Sequence, residues 1–168
     1  IEDLISLSRL KNRSALKREN IELRSMLGSI IDDANFEFQQ TGQTCELTGD
    51  LAATVNADRD LLSSLFENVI RNGLRYSPER EVLAVRISAL PGLVRISFTD
   101  NGPGVNPSEL ERIFDPFYRA DDARSTSNGH HGIGLALARA IVEVHGGIIS
   151  ARNHDSGGLE ISIEFPAV

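Results

Sequence analysis

Asp100-Asn101-Gly102-Pro103-Gly104-Val105 delivers one carboxylate into a turn built from glycine and proline. Val94, Ile96 and Phe98 alternate just upstream, and the strand period of two puts Asp100 in the same apolar row. A carboxylate at the dry end of such a row costs several kcal/mol unless donors meet it, so Asp100 either finds an internal donor or waits for a ligand N–H group. Gly102 and Gly104 supply backbone freedom and room for a flat ligand. Taken alone, the same residues also describe an Asp capping a tight turn.

Asn68 and Asn72 stand four apart in a stretch with helical apolar spacing, and Arg75 follows about one turn later, so the three share a face. Glu67 and Arg71 form a neighbouring pair of the same spacing. Asn is a mediocre helix former, and a solvated helix face would more cheaply use Lys, Glu or Gln. Amide oxygens are suitable hard ligands for Mg²⁺, which takes the rest of its shell from water and substrate phosphates. Gly129-His130-His131-Gly132-Ile133-Gly134-Leu135 opens a nearly all-apolar helix running to about His145, interrupted only by Arg139 and Glu143, which are spaced to pair. A glycine-rich first turn presents unpaired N–H groups at the positive end of the helix dipole, as phosphate sites do, although close packing through small residues would use the same glycines. Neither a strand-led G-x-G-x-x-G nor a G-x-x-x-x-G-K-[ST] occurs, which removes the Rossmann and P-loop readings. Between these elements, Phe114-Asp115-Pro116-Phe117-Tyr118-Arg119 anchors a polar stretch from Ala120 to Asn128, the composition of a lid with its hinge. Arg119 and Arg124 on such a lid can bring guanidinium groups to phosphate oxygens, or simply be solvated.

Taken in order, the four segments resemble the ATP-binding catalytic domain of bacterial sensor histidine kinases, of the fold shared with gyrase, Hsp90 and MutL. Glu67 to Asn72 matches the N box, Asp100 to Gly104 the G1 box, Phe114 to Arg119 the F box and Gly129 to Leu135 the G2 box. Ile1 to Leu10 resembles the end of the second dimerisation helix that precedes such domains. Glu-Asn-Val-Ile-Arg-Asn-Gly-Leu-Arg-Tyr-Ser and Phe-Tyr-Arg-Ala-Asp-Asp-Ala-Arg look most like the Cpx envelope-stress branch of the family.

The resemblance implies roles. Asp100 would accept the adenine amino group, Gly102 and Gly104 would shape the base pocket, and Tyr76 would lie against the ring. Asn72 and Asn68 would hold Mg²⁺, and Arg75, where the family often has lysine, would reach toward phosphate. Glu67 would be the base that helps activate the attacking histidine. Arg119 and Arg124 would steady the phosphates, which Gly132, Ile133, Gly134 and Leu135 would meet at the helix N-terminus. Two positions depart from the family pattern. Gly73 stands where alanine is common, and His130-His131 where glycine followed by Thr or Ser is common, which would stiffen the lid or reduce nucleotide affinity. The family's phosphoacceptor histidine, in a His-Glu-x-x-Thr-Pro-like context, has no counterpart in this sequence. His145 ends a helix before Gly146-Gly147, His154 lies in a strand-edge or turn region, and adjacent His130 and His131 with lone Cys45 make no metal set.

Positioning these residues requires a core, and 168 residues at 40% hydrophobic suffice for a single domain. One cysteine argues against a disulfide scaffold. A net charge of -7 disfavours nucleic acid as a partner, so phosphates must be met by Arg75, Arg119, Arg124 and Mg²⁺. No apolar run reaches bilayer length, there is no signal peptide, and a start at Ile1 reads as a cytoplasmic piece of a longer protein, itself expected in the bacterial inner membrane. The spacing predicts a helix from Asp58, as N-cap, to Tyr76, stopped by Ser77-Pro78, and another over Leu23, Met26, Leu27, Ile30, Ile31 and Ala34, running to about Gln40. Strands are expected at Cys45 to Leu47, Val82 to Ala89, Leu93 to Thr99, Gly147 to Asn153 and Leu159 to Phe165, the last with one wet face. The fold class is α+β, a two-layer α/β sandwich with a mixed, mostly antiparallel sheet and helices on one face. Residues 1–18 are expected to be a helical extension, the remnant of the second dimerisation helix and linker, and residues 19–168 the catalytic domain.

The function so implied is transfer of the ATP γ-phosphoryl group to a histidine on a dimerisation domain absent from this sequence, in a full-length homodimer that passes the phosphoryl group to a response regulator receiver domain. A nucleotide-driven clamp ATPase of the same fold is one rival; it would need a following transducer domain, whereas this sequence ends at Val168 after its last strand. A degenerate regulatory interaction module is the other, and intact Asn72, Asp100 and glycines count against it.

Overall fold

The computed structural model of the chain describes residues 2–11, 15–50, 52–118 and 132–168. In chain order the elements are α1 (Glu2–Lys11), β1 (Arg18–Glu22), α2 (Leu23–Glu37), β2 (Thr44–Gly49), β3 (Thr54–Asp58), α3 (Arg59–Tyr76), β4 (Val82–Leu90), β5 (Leu93–Thr99), α4 (Gly134–Val144), β6 (Ile148–Asn153) and β7 (Leu159–Pro166). Two short 3₁₀ turns, Pro107–Glu109 and Arg112–Phe114, lie between β5 and α4.

Five strands form one sheet in the order β2-β4-β5-β7-β6. Only β2 and β4 run parallel; the other three pairings are antiparallel. Alternation sets the faces: Leu83, Val85 and Ile87, Val94, Ile96 and Phe98, and Leu159, Ile161, Ile163 and Phe165 are buried beneath the helices. Phe66 of α3 meets Phe98 with ring centroids 6.1 Å apart. The opposite face is wet and carries the ion pairs Arg95–Glu164 at 2.6 Å and Arg152–Glu160 at 2.8 Å. Exposed pairs of this kind contribute little to stability. The result is the expected two-layer arrangement of helices over a mostly antiparallel sheet.

Asp58 caps α3, as its residue type predicts: the side chain accepts from the Leu61 N–H at 3.3 Å, and its other oxygen accepts from the Lys17 N–H at 3.1 Å. His145, which caps the C-terminal end of α4, fixes α4 to the start of α3. Its Nε2 accepts from the Asp58 N–H at 3.0 Å, which leaves Nδ1 to donate to the Ile141 carbonyl at 2.7 Å. α1 packs against α4, burying Leu10.

Two strands escape sequence reading. β1 and β3 form a separate antiparallel ribbon with Ile21 opposite Val55. β1 is Arg-Glu-Asn-Ile-Glu with a single buried residue, so no alternation announces it. The expected helical extension through residue 18 is accordingly not continuous: α1 ends at Lys11, residues 15–17 have no regular structure, and Arg18 already belongs to β1. α2 stops at Glu37 instead of Gln40, because the Phe38 N–H closes on the Ala34 carbonyl at 3.0 Å and a turn through Gly42, at φ +73°, follows.

Candidate functional site

The helix α3 is the wall on which the site is built. Leu62, Leu65, Phe66, Val69, Ile70, Gly73 and Leu74 face the core, which leaves Asn68 and Asn72 half-buried along the edge of that stripe. Gly73 lets the helix lie close to the sheet: a Cβ there would stand 2.7 Å from Leu83 Cδ1. The side chains of Asn68 and Asn72 make no hydrogen bond with a described residue, so both amide oxygens are available as ligands. Arg75 and Tyr76, both exposed, close the helix. That end is held by Gln43, whose buried Nε2 donates to the Leu74 carbonyl at 3.0 Å and the Ser77 carbonyl at 2.6 Å.

Two other segments meet this wall. At its C-terminal end, the turn after β5 touches it: a Cβ on Gly102 would lie 2.6 Å from the Tyr76 carbonyl oxygen, so only glycine fits. Near its middle, α4 begins: a Cβ on Gly134 would come within 3.8 Å of Asn68 Oδ1. Ile133, at the N-cap, makes no side-chain capping bond, so the first-turn N–H groups of α4 have no side-chain cap among the described residues and can meet an anion. Ile133 is buried and Leu135 packs against the core, so what these two offer a ligand is backbone.

Asp100 is 5% exposed, as its place in the row of Val94, Ile96 and Phe98 predicts. Its Oδ1 accepts from the Gly102 N–H at 2.9 Å and the Leu159 N–H at 3.0 Å. Its Oδ2 accepts from no described residue and is left for an external donor. Burial pushes the carboxyl above its ordinary range, and the Leu159 and Gly102 N–H groups oppose this only in part. Gly158, at φ +87°, passes so close that a Cβ would overlap the Asp100 carbonyl oxygen, at 2.0 Å. Gly158 and Gln43 go unnoticed in the sequence, and Leu159 is read only as the start of a strand; the Gly157-Gly158 pair between two strand patterns is the one signal that points there.

Glu67 lies on the next face of α3. Ser63 Oγ donates to its Oε1 at 3.2 Å, and Arg71 Nη1 lies 3.5 Å from its Oε2, while Arg71 Nε donates to Glu37 at 3.0 Å. Glu67 thus lines the groove between α2 and α3 with Asp33 and Ala34. Arg119, Arg124, Gly129, His130 and His131 lie outside the described residues. The two described ends of that stretch meet: the Phe117 N–H, at φ +66°, donates to the carbonyl of Gly132, also at φ +66°, at 3.1 Å. Tyr118 sits under Arg112, whose guanidinium carbon is 4.8 Å from the ring centroid.

The chain is similar to known proteins. Sensor histidine kinase CpxA of Escherichia coli (strain K12) is 34% identical over 167 residues, which covers 99% of this chain and 36% of that protein. The chain thus spans little more than a third of the curated relatives it matches first. Full-length ShkA, solved in complex with AMPPNP, superposes with a TM-score of 0.84 at 24% identity over 99% of this chain and 35% of its own. Histidine kinase ThkA, solved in complex with response regulator protein TrrA, gives 0.82 at 20% identity over 99% and 47%. At these identities the solved structures establish the fold. The family model described as histidine kinase-, DNA gyrase B- and HSP90-like ATPase matches residues 57–168, from the end of β3 to the last residue, and the chain belongs to that family.

Proposed function

We propose that this chain is the ATP-binding catalytic portion of a two-component sensor histidine kinase, which transfers the ATP γ-phosphoryl group to a histidine on a dimerisation domain. The observation that carries the reading is the free Oδ2 of buried Asp100, on a turn that touches the same helix whose unengaged Asn68 and Asn72 stand beside the N-terminus of α4. One end of the wall offers an acceptor for the adenine amino group, with Tyr76 beside it. The other offers amide oxygens, open N–H groups and, from Arg75, a guanidinium without an ion pair among the described residues. Adenine and phosphates thereby have separate places along one groove.

Asn72 and Asn68 would hold Mg²⁺, which supplies neutralisation of phosphate charge; two unengaged amide oxygens beside an anion-accepting helix end fit such an ion. Arg75, with Arg119 and Arg124 from the intervening segment, adds positive charge to an acidic domain. The chain's own contribution to transfer is positioning. The acceptor imidazole nitrogen forms the N–P bond as the bond to the β–γ bridging oxygen breaks, ADP leaves, and Glu67 takes the imidazole proton once it is drawn from Arg71 and Ser63. The acceptor histidine belongs to a dimerisation domain, of which residues 1–18 would be the trailing end and residues 19–168 the catalytic domain. A receiver domain would take the phosphoryl group onward, as the partner of the ThkA structure suggests. The whole protein would be a homodimer in the bacterial inner membrane with this domain on the cytoplasmic side. Among the described residues no helix is long and apolar enough to cross a membrane.

Isothermal titration of the chain with ATP and ADP, with and without Mg²⁺, tests the reading. Micromolar binding that prefers adenine over guanine nucleotides is expected, and absence of any nucleotide heat or competition would overturn it.

A further inference from the structure

Asn153 closes β6 directly opposite Leu159, which opens β7. Its side chain grips one residue of the turn after Asp100 by both backbone groups: Oδ1 accepts from the Val105 N–H at 2.8 Å, and Nδ2 donates to the Val105 carbonyl at 2.6 Å. A carboxamide used in this way replaces a strand partner, and its two bonds fix both the position and the orientation of that residue. Leu159 holds the other end of the same turn, accepting from the Asp100 N–H at 3.0 Å and donating to Asp100 Oδ1 at 3.0 Å. The segment from Asp100 to Val105 is therefore clamped at both ends by one cross-strand pair of the β6–β7 hairpin. Gly104 between them adopts φ +73°, and a Cβ there would stand 2.7 Å from Asn153 Oδ1, so the amide also occupies the space that fixes residue 104 as glycine.

We propose that Asn153 is a positioning residue for base recognition: by clamping Val105 it sets the shape of the Gly102–Gly104 turn and so the place of the base relative to Asp100 Oδ2. The inference rests on the nucleotide reading given above. Asn153 is half-buried and belongs to none of the four sequence motifs, and an ordinary strand-end asparagine makes local capping bonds, whereas Asn153 bonds both backbone polar groups of a residue 48 positions away.

The test compares two ligands on the whole chain, ADP and Mg²⁺-tripolyphosphate, by calorimetry, with thermal melting of the free protein alongside. Asn153→Ala is expected to weaken ADP about tenfold, the effect of losing roughly one well-placed hydrogen bond, and to leave tripolyphosphate within about twofold. Asn153→Asp keeps an acceptor for the Val105 N–H but sets a carboxylate oxygen against the Val105 carbonyl, so its ADP loss is expected to be at least that of the alanine variant. Unchanged ADP affinity in Asn153→Ala, whatever its melting temperature does, would overturn the proposal, as would an equal loss for both ligands. If Asn153→Ala does not fold, Asn153→Asp decides by the same comparison. Failure of the parent chain to bind ADP at all would instead strike the nucleotide reading itself.

Discussion

Asp100→Asn separates recognition from folding. Oδ1 is committed to the two backbone N–H groups of Gly102 and Leu159, both of which need an acceptor. In the variant the amide oxygen must stay there, which places the NH₂ group where Oδ2 was, a donor facing the donor of an adenine amino group. Loss of a hydrogen bond to a charged group costs about 1.5–3 kcal/mol, which is roughly a ten- to 150-fold loss of ADP affinity. Stability should move differently. Desolvation raises the carboxyl above its ordinary 3.8 and outweighs its two N–H donors. A folded-state value above the unfolded one means that the site favours the protonated form, and this contribution is lost as pH rises through the folded value. At pH 7 the parent therefore carries an ionised carboxylate that its surroundings disfavour, and the neutral variant should melt no lower than the parent in the absence of nucleotide. By the same sign, ADP affinity of the parent should fall on acidification through the raised value of Asp100, while that of the variant stays flat. Calorimetry with ADP across pH, paired with melting curves, reads both. Parent-like ADP affinity in Asp100→Asn would refute the assignment of Oδ2 to adenine.

Asn72→Ala should weaken Mg²⁺-ATP binding while leaving Mg²⁺-free ADP nearly unchanged; equal affinity for Mg²⁺-ATP in variant and parent, by titration, would remove the metal role. In a longer protein that includes the dimerisation hairpin, Glu67→Gln should slow labelling of the acceptor histidine by about 10²- to 10⁴-fold with ADP binding retained. The chain alone should not label itself from γ-labelled ATP, and rapid multiple-turnover hydrolysis by it would contradict the kinase reading. Gly158→Ala should lower stability by more than 1 kcal/mol and abolish ADP binding, because φ +87° and the 2.0 Å approach to the Asp100 carbonyl both exclude a Cβ; a melting temperature within about a degree of the parent would count against that geometry.

Asp58 as a cap, the buried stripe of α3, the strand that ends in Asp100 and the apolar α4 are all legible in the sequence, because each is a local matter of period, cap and punctuation. The separation of Asn68 and Asn72 from the core stripe is equally local, since residues four apart must share a helix face. Tertiary structure alone decided the rest. The β1–β3 ribbon exists because Ile21 and Val55 find one another across the chain, and five residues with one apolar side chain carry no periodic signal. Which oxygen of Asp100 remains free depends on a contact made from 59 residues away, by the Leu159 N–H. The clamp on Val105 and the brace that Gln43 applies to α3 are side-chain bonds to backbone, and such bonds depend on where a distant segment lies in space rather than on any spacing along the chain. Glu67 and Asn68 show the same division: the helix turns them about 100° apart and sets Glu67 beside Arg71 by spacing alone, whereas only the packing of α2 and α4 brings Arg71 to Glu37 and Asn68 to the start of α4.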